Sequence, residues 1–186
     1  MTKHQETLVL MGLGGDKVVA RQNKFINFLN KNRPNDAQIL VFPTNWQTPE
    51  TYTEKRDRLS AYIKLHPDIK IIYGISAGAS LAMSLVPEMP HDTQYNFISG
   101  KLRRPETIGT ERNTRAPALY ESVVASEYVI ANDDISSYNM RCYVGFLDGV
   151  LDIQDMVVPG VPVSRIPMIN HSATIALAYM TTLRTL

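Results

Sequence analysis

Five consecutive residues, Gly74-Ile75-Ser76-Ala77-Gly78, carry the sharpest chemical signal in the chain. The serine has a glycine two positions to either side. The apolar run Ile69 to Tyr73 precedes it, and an Ala-, Leu- and Met-rich stretch, Ser76 to Leu85, follows. Strand, tight turn and helix in that order are the setting of a nucleophile elbow. The reason is steric. A serine on a strained turn projects its hydroxyl from the end of a sheet, and the glycines let strand and helix pass closely. The N-terminus of the new helix favours developing negative charge. The competing reading is an ordinary strand-to-helix turn with a capping serine.

A serine hydroxyl is a weak nucleophile near neutral pH and needs a base. Of the four histidines, His4 is in a polar N-terminus, and His66 and His91 sit beside prolines in connecting segments, as solvated surface histidines do. His171 is different. It follows the last predicted strand, in Met168-Ile169-Asn170-His171-Ser172, just before a predicted helix. It is the candidate base, against the alternative of a plain helix-start histidine. A third group must orient the imidazole and stabilise its cation. Asp148, Asp152 and Asp155 all follow Val144. Asp148 comes first on the loop and leads; Asp155 and Asp152 stay open as alternatives, and those not used are expected to be solvated or capping carboxylates.

The oxyanion of a tetrahedral intermediate needs two fixed N–H donors. One expected donor is the backbone N–H of Ala77. The other is that of Leu13, in the turn Gly12-Leu13-Gly14-Gly15. The same turn does not complete a dinucleotide fingerprint, because Lys17 stands where the third glycine belongs and no acidic ribose ligand closes the second strand. No organic cofactor is expected. No cluster of cysteine, histidine and carboxylate has metal-site spacing.

These residues need a frame, and the hydrophobic pattern predicts one. Strands are expected at Leu8–Met11, Ile39–Phe42, Ile69–Tyr73, Tyr95–Ile98, Met140–Val144 and Ser164–Ile169. Pro167 inside the last of these points to an edge position or a bulge. Helices are expected at Val18–Lys31, Pro49–Leu65, Ser76–Leu85, Pro117–Ala131 and Ser172–Leu183. The stretch Ser99–Ala116 reads as a long loop. Alternating strands and helices imply an α/β fold, with a mostly parallel central sheet of about six strands and helices on both faces, in a single domain spanning residues 1–186. Ligands bind at the carboxyl ends of strands in such sheets. Ser76, Asp148, His171 and the Leu13 turn all follow predicted strands.

Composition excludes several classes. The chain has 186 residues, 44% hydrophobic and 20% charged, with a formal net charge of +1, so no global field draws it to nucleic acid or to an anionic membrane. No apolar run is long enough for a membrane span. One cysteine, Cys142, cannot close an internal disulfide, and its apolar neighbours mark it as a core residue. A soluble, cytoplasmic protein with a small-molecule acyl partner is expected; oligomeric state leaves no mark. The 99–116 loop is basic, with Lys101, Arg103, Arg104, Arg112 and Arg115. It reads first as a solvated segment; in the alternative, Arg103 and Arg104 face the cleft and meet an anionic substrate. Trp46 lines the pocket or belongs to the core or rim.

With the elbow, the Gly-rich first turn, and the order Ser76, Asp148, His171, the sequence resembles the α/β-hydrolase superfamily over nearly its whole length. It is most similar to small, capless members such as the minimal bacterial lipases and esterases. Asp148 and His171 stand 23 positions apart, a separation like that in those lipases, which favours Asp148 over Asp155. The resemblance implies a first strand flanked by the second and third, and no cap domain. It departs at Met11, where many members carry histidine, and at Asn170, where glycine is frequent. The basic loop is unlike a greasy lipase lid. The expected activity is cleavage of an ester, thioester or related acyl compound through a Ser-His-Asp triad and an acyl-enzyme. The alternatives are a catalytically silent binding protein on the same fold, or an acyltransferase or lyase using the same serine.

Overall fold

The computed structural model describes residues 5–13, 16–32, 37–145 and 151–166. Within them, six parallel strands form one sheet in the order β2-β1-β3-β4-β5-β6. The strands are β1 (Gln5–Leu10), β2 (Ala37–Phe42), β3 (Ile69–Ile75), β4 (Gln94–Ile98), β5 (Asn139–Gly145) and β6 (Val163–Ile166). The helices are α1 (Asp16–Asn32), α2 (Tyr52–Leu65), α3 (Ala77–Met83), α4 (Thr110–Arg115) and α5 (Pro117–Asn132). β1 lies between β2 and β3, as the resemblance implies, and β6 is at an edge, as Pro167 suggests. No inserted cap domain occurs among the described residues.

The period of two along each strand divides the apolar residues between two cores. Leu8, Leu10, Ile72, Phe97 and Cys142 face a core shared with residues of α2, α3 and α5. Val9, Tyr73, Ile75, Ile98 and Tyr143 face the other side, where Phe25 and Leu29 of α1 pack. Fully burying one such aliphatic side chain is worth about 1.5–3 kcal/mol. Register then aligns the strand ends: Leu10 pairs with Gly74, Ile75 with Ile98, and Gly145 with Ile166. The turns that leave β1, β3 and β4 therefore emerge side by side.

Two stretches differ from expectation. α2 starts at Tyr52 rather than Pro49, because Thr51 caps it: its hydroxyl accepts from the Glu54 N–H at 3.2 Å, and the Glu54 carboxylate accepts from the Thr51 N–H at 2.7 Å. The stretch 99–116 is not a plain loop. It holds a 3-10 turn at Pro105–Thr107 and then α4. β6 is described only to Ile166; the expected continuation to Ile169, with Pro167, and the helix at Ser172–Leu183 lie outside the described residues.

Candidate active site

Ser76 ends the turn between β3 and α3 at φ 52°, ψ −120°. A non-glycine residue at positive φ costs on the order of 1–3 kcal/mol and persists only when its surroundings impose it. Here they do. The Ser76 N–H extends the ladder by donating to the Ile98 carbonyl at 2.9 Å, and the Ala79 N–H returns to the Ser76 carbonyl at 3.1 Å. A Cβ on Gly78 would stand 2.4 Å from the Leu10 carbonyl oxygen, so only glycine lets α3 cross the end of β1. A Cβ on Gly74 would meet the Ala79 Cα at 2.7 Å. Ser76 makes no side-chain capping bond to α3, so the capping-serine reading does not hold.

The turn after β1 comes against the same serine. A Cβ on Gly12 would lie 2.6 Å from the Ser76 Cβ and 3.1 Å from its Oγ. Leu13, Ser76 and Ala77 line one cavity of about 200 Å³, with Ile108, Leu119 and Leu151 as further apolar walls. Two side chains hold the start of this turn: the Trp46 indole N–H donates to the Met11 carbonyl at 3.1 Å, and the Thr44 hydroxyl donates to it at 3.0 Å. Trp46 is buried and belongs to the core, not to this cavity.

Sequence reasoning missed what steadies Trp46. Lys55 of α2 is fully buried, and its ammonium donates to the Asn45 carbonyl at 2.6 Å, Thr48 Oγ1 at 2.9 Å and Glu50 Oε2 at 2.8 Å. All three donors are used, the condition for burying a lysine. Glu50 also takes Arg58 at 2.8 Å. Hydrogen bonding to Arg58, and then to Lys55, holds its carboxyl down to about 2. A helical lysine in a Lys- and Arg-rich helix gives no sequence sign of burial.

Asp148 and His171 lie outside the described residues, as do His4, Gly14 and Gly15. The two described histidines stand at the wrong end of the sheet. His66 precedes β3, stacks on Tyr62 and pairs with Glu6 at 3.2 Å, so it is half-buried rather than solvated. His91 precedes β4 and stacks on Tyr138. At roughly 3.3 Å per residue, β3 alone separates His66 from Ser76 by about 20 Å. Asp155 is buried, not solvated. Its carboxylate accepts from the Asp152 N–H at 3.0 Å in a capping box and pairs with Lys101 at 2.9 Å. Asp152 is exposed and pairs with Arg104 at 3.3 Å. Burial pushes the Cys142 thiol up to about 12, an inert core residue.

The basic segment is anchored rather than free. The N–H groups of Leu102 and Arg103 donate to the Asp155 carbonyl at 2.9 and 3.1 Å, and the Ser126 hydroxyl of α5 donates to the Leu102 carbonyl at 2.8 Å. Arg103 bonds the Val157 carbonyl at 3.2 Å, and Arg104 pairs with Asp152. Neither lines the Ser76 cavity. Lys101, Thr107 and Arg112 do. Ser99, also unforeseen, continues β4 at φ 45° and is fully buried. Among the described residues, no group of three His, Cys, Asp or Glu side chains is arranged to hold a metal, and no helix is long and apolar enough to cross a membrane.

No protein-family model and no curated protein sequence matches the chain. Solved structures do. The esterase domain of a Rhodothermus marinus protein matches with a TM-score of 0.69 at 11% identity, over 99% of this chain and 87% of that one. A monoacylglycerol lipase of Paleococcus ferrophilus matches with a TM-score of 0.67 at 12% identity, over 98% and 95%. Human thioesterase 2 matches with a TM-score of 0.57 at 12% identity, over 97% and 95%. The chain thus has the α/β-hydrolase fold.

Proposed function

We propose that this chain is a serine hydrolase that cleaves an ester, thioester or related acyl compound. The observation that carries the reading is Ser76 itself, held at φ 52° on the elbow, with its side chain in a cavity shared by Leu13 and Ala77. Structures of the same fold that bear the names esterase, lipase and thioesterase support it. In this mechanism Ser76 Oγ attacks the acyl carbon while His171 takes its proton. Asp148 holds the imidazole and stabilises its cation. The N–H groups of Leu13 and Ala77 receive the oxyanion. Collapse of the tetrahedral intermediate breaks the bond to the leaving group, which departs with the proton from His171. Water then adds to the acyl-enzyme, giving its proton to His171, and Ser76 recovers that proton as the acid leaves.

A fluorophosphonate should label wild-type protein at Ser76, and 4-nitrophenyl butyrate should be hydrolysed. Ser76→Ala should abolish both. His171→Ala should do nearly the same, and Asp148→Asn should lower turnover by about four orders of magnitude with the protein still folded. Hydrolysis surviving in Ser76→Ala would overturn the mechanism. Absence of both labelling and hydrolysis in wild type would point to a silent protein on this fold. Acyl transfer to an added alcohol in preference to water would mark an acyltransferase.

A further inference from the structure

Among the described residues, the charged walls of the cavity beside Ser76 are of one sign: Lys101 and Arg112 line it, and no described carboxylate does. The two are not equivalent. Lys101 is spoken for: its ammonium pairs with the buried Asp155 carboxylate at 2.9 Å and bonds the Thr107 hydroxyl, and its side chain is only 12% exposed. Arg112, on α4, is exposed and makes no ion pair among the described residues. Arg103 and Arg104, on the same basic segment, show the contrast, since Arg103 pairs with Glu127 and Arg104 with Asp152.

The remaining described walls are apolar except for the Thr107 hydroxyl and Ser76 itself. Ile108, Leu119 and Leu151 surround space for a hydrocarbon segment, and about 200 Å³ holds roughly six or seven water-sized groups at about 30 Å³ each. The segment that carries Arg112 is fixed at its base by the Asp155 carbonyl and by Ser126, so the guanidinium is presented by an anchored element. A slot with Ile108, Leu119 and Leu151 on its walls, a serine at one end and a guanidinium without an ion pair among the described residues fits a short acyl chain whose far end is negative. A guanidinium meets a carboxylate through paired, charge-assisted hydrogen bonds.

We infer that Arg112 is a specificity residue that selects short acyl groups ending in a carboxylate, such as monoesters of a small dicarboxylic acid. The inference rests on the hydrolase reading above and names the substrate class of that site. Lys101 acts differently: neutralised by Asp155, it fixes the wall without adding net charge.

The test compares the 4-nitrophenyl monoester of glutaric acid with 4-nitrophenyl pentanoate, which has the same acyl length and no charge. The Ser76→Ala protein supplies the spontaneous background. Wild type should favour the glutarate ester in kcat/KM by about tenfold or more, the order of one charge-assisted contact at a partly open site. The preference should shrink as salt rises, since exposed charges are screened over about 10 Å at 0.1 M. Arg112→Gln should cut kcat/KM for the glutarate ester about tenfold more than for pentanoate, Arg112→Lys should retain part of the preference, and Arg103→Gln should affect both esters alike. Serine-dependent hydrolysis of both esters with no charge preference would overturn this inference and leave the hydrolase reading standing. So would a preference that survives Arg112→Gln. Turnover of neither ester would overturn the hydrolase reading, and this inference with it.

Discussion

Gly12→Ala is the substitution on which the geometry speaks most directly. The new methyl would stand 2.6 Å from the Ser76 Cβ, 3.1 Å from Ser76 Oγ and 3.1 Å from the Ile75 carbonyl oxygen. Carbon atoms sit comfortably at about 3.5–4.0 Å, so the overlap with Ser76 is about 1 Å. Something must move. Ser76 is held at positive φ by its bonds to Ile98 and Ala79, and Ile75 belongs to the central strand β3. The turn of Gly12 and Leu13 is the part that gives way, and it carries the proposed Leu13 donor with it. A displacement of about 1 Å in a catalytic group costs on the order of a hundredfold in rate. Overpacking of this kind costs about 1–3 kcal/mol of stability, less than the roughly 5–15 kcal/mol of an ordinary domain, so the variant should fold. The assay is kcat/KM for 4-nitrophenyl butyrate beside a thermal melt and the rate of fluorophosphonate labelling. The control is Gly109→Ala, where a Cβ meets nothing within 4 Å and φ is an ordinary −60°. It should stay within about twofold of wild type. A folded Gly12→Ala protein whose kcat/KM lies within threefold of wild type would refute the claim that this turn presents a catalytic donor.

Two further outcomes follow from the loop behind that turn. Trp46→Phe removes one of the two donors to the Met11 carbonyl, and pairing it with Thr44→Val removes both. One bond is worth about 1 kcal/mol, and an orphaned buried carbonyl costs more, so kcat should fall further in the double variant than the single changes predict together, with KM nearly constant; a double variant that loses stability but keeps kcat would reduce these side chains to packing. Glu50 has its folded pKa lowered from 4.5 to about 2, so its contribution is complete above 4.5 and is lost as pH falls from 4.5 towards 2. Glu50→Gln should therefore melt below wild type at pH 7, with the gap in Tm closing over that acidic range; a gap independent of pH would show that the Lys55 and Arg58 contacts owe nothing to its charge.

Ser76 was legible because its signal is local. Two glycines, a strand before and a helix after are all within a dozen residues, and the steric demand of the elbow writes itself into sequence. The sheet was legible for the same reason, as alternating apolar runs report burial directly. Long-range pairing left no such trace. Nothing in the run Lys101 to Arg104 says which of its cations is neutralised by Asp155, fifty-odd positions on, and which by Glu127 or Asp152. Arg103 and Arg104 therefore read first as solvated, and in the alternative as substrate-facing, when they are ties, and Arg112 passed as one more basic residue. Lys55 is the extreme case: a lysine in a charged helix reads as solvated, and only the fold reveals three acceptors converging on it.

Those ties explain how the turns at the strand ends are held in order with no inserted cap among the described residues. Backbone approaches too close for a Cβ at Gly12 and Gly78 lock the ends of β1, β3 and α3 together, so the serine and the turn beside it form one rigid unit. Behind it, Lys55 gathers Asn45, Thr48 and Glu50, and the segment so fixed brings Thr44 and Trp46 to the Met11 carbonyl. On the opposite flank, Asp155 binds Lys101 with its carboxylate and the backbone of Leu102 and Arg103 with its carbonyl, and thereby seats α4 over the cavity. Both flanks use a buried charge satisfied by backbone and side chains together. Such clusters are costly to break and specify one arrangement. Two such anchors can supply the preorganisation that the proposed oxyanion site requires.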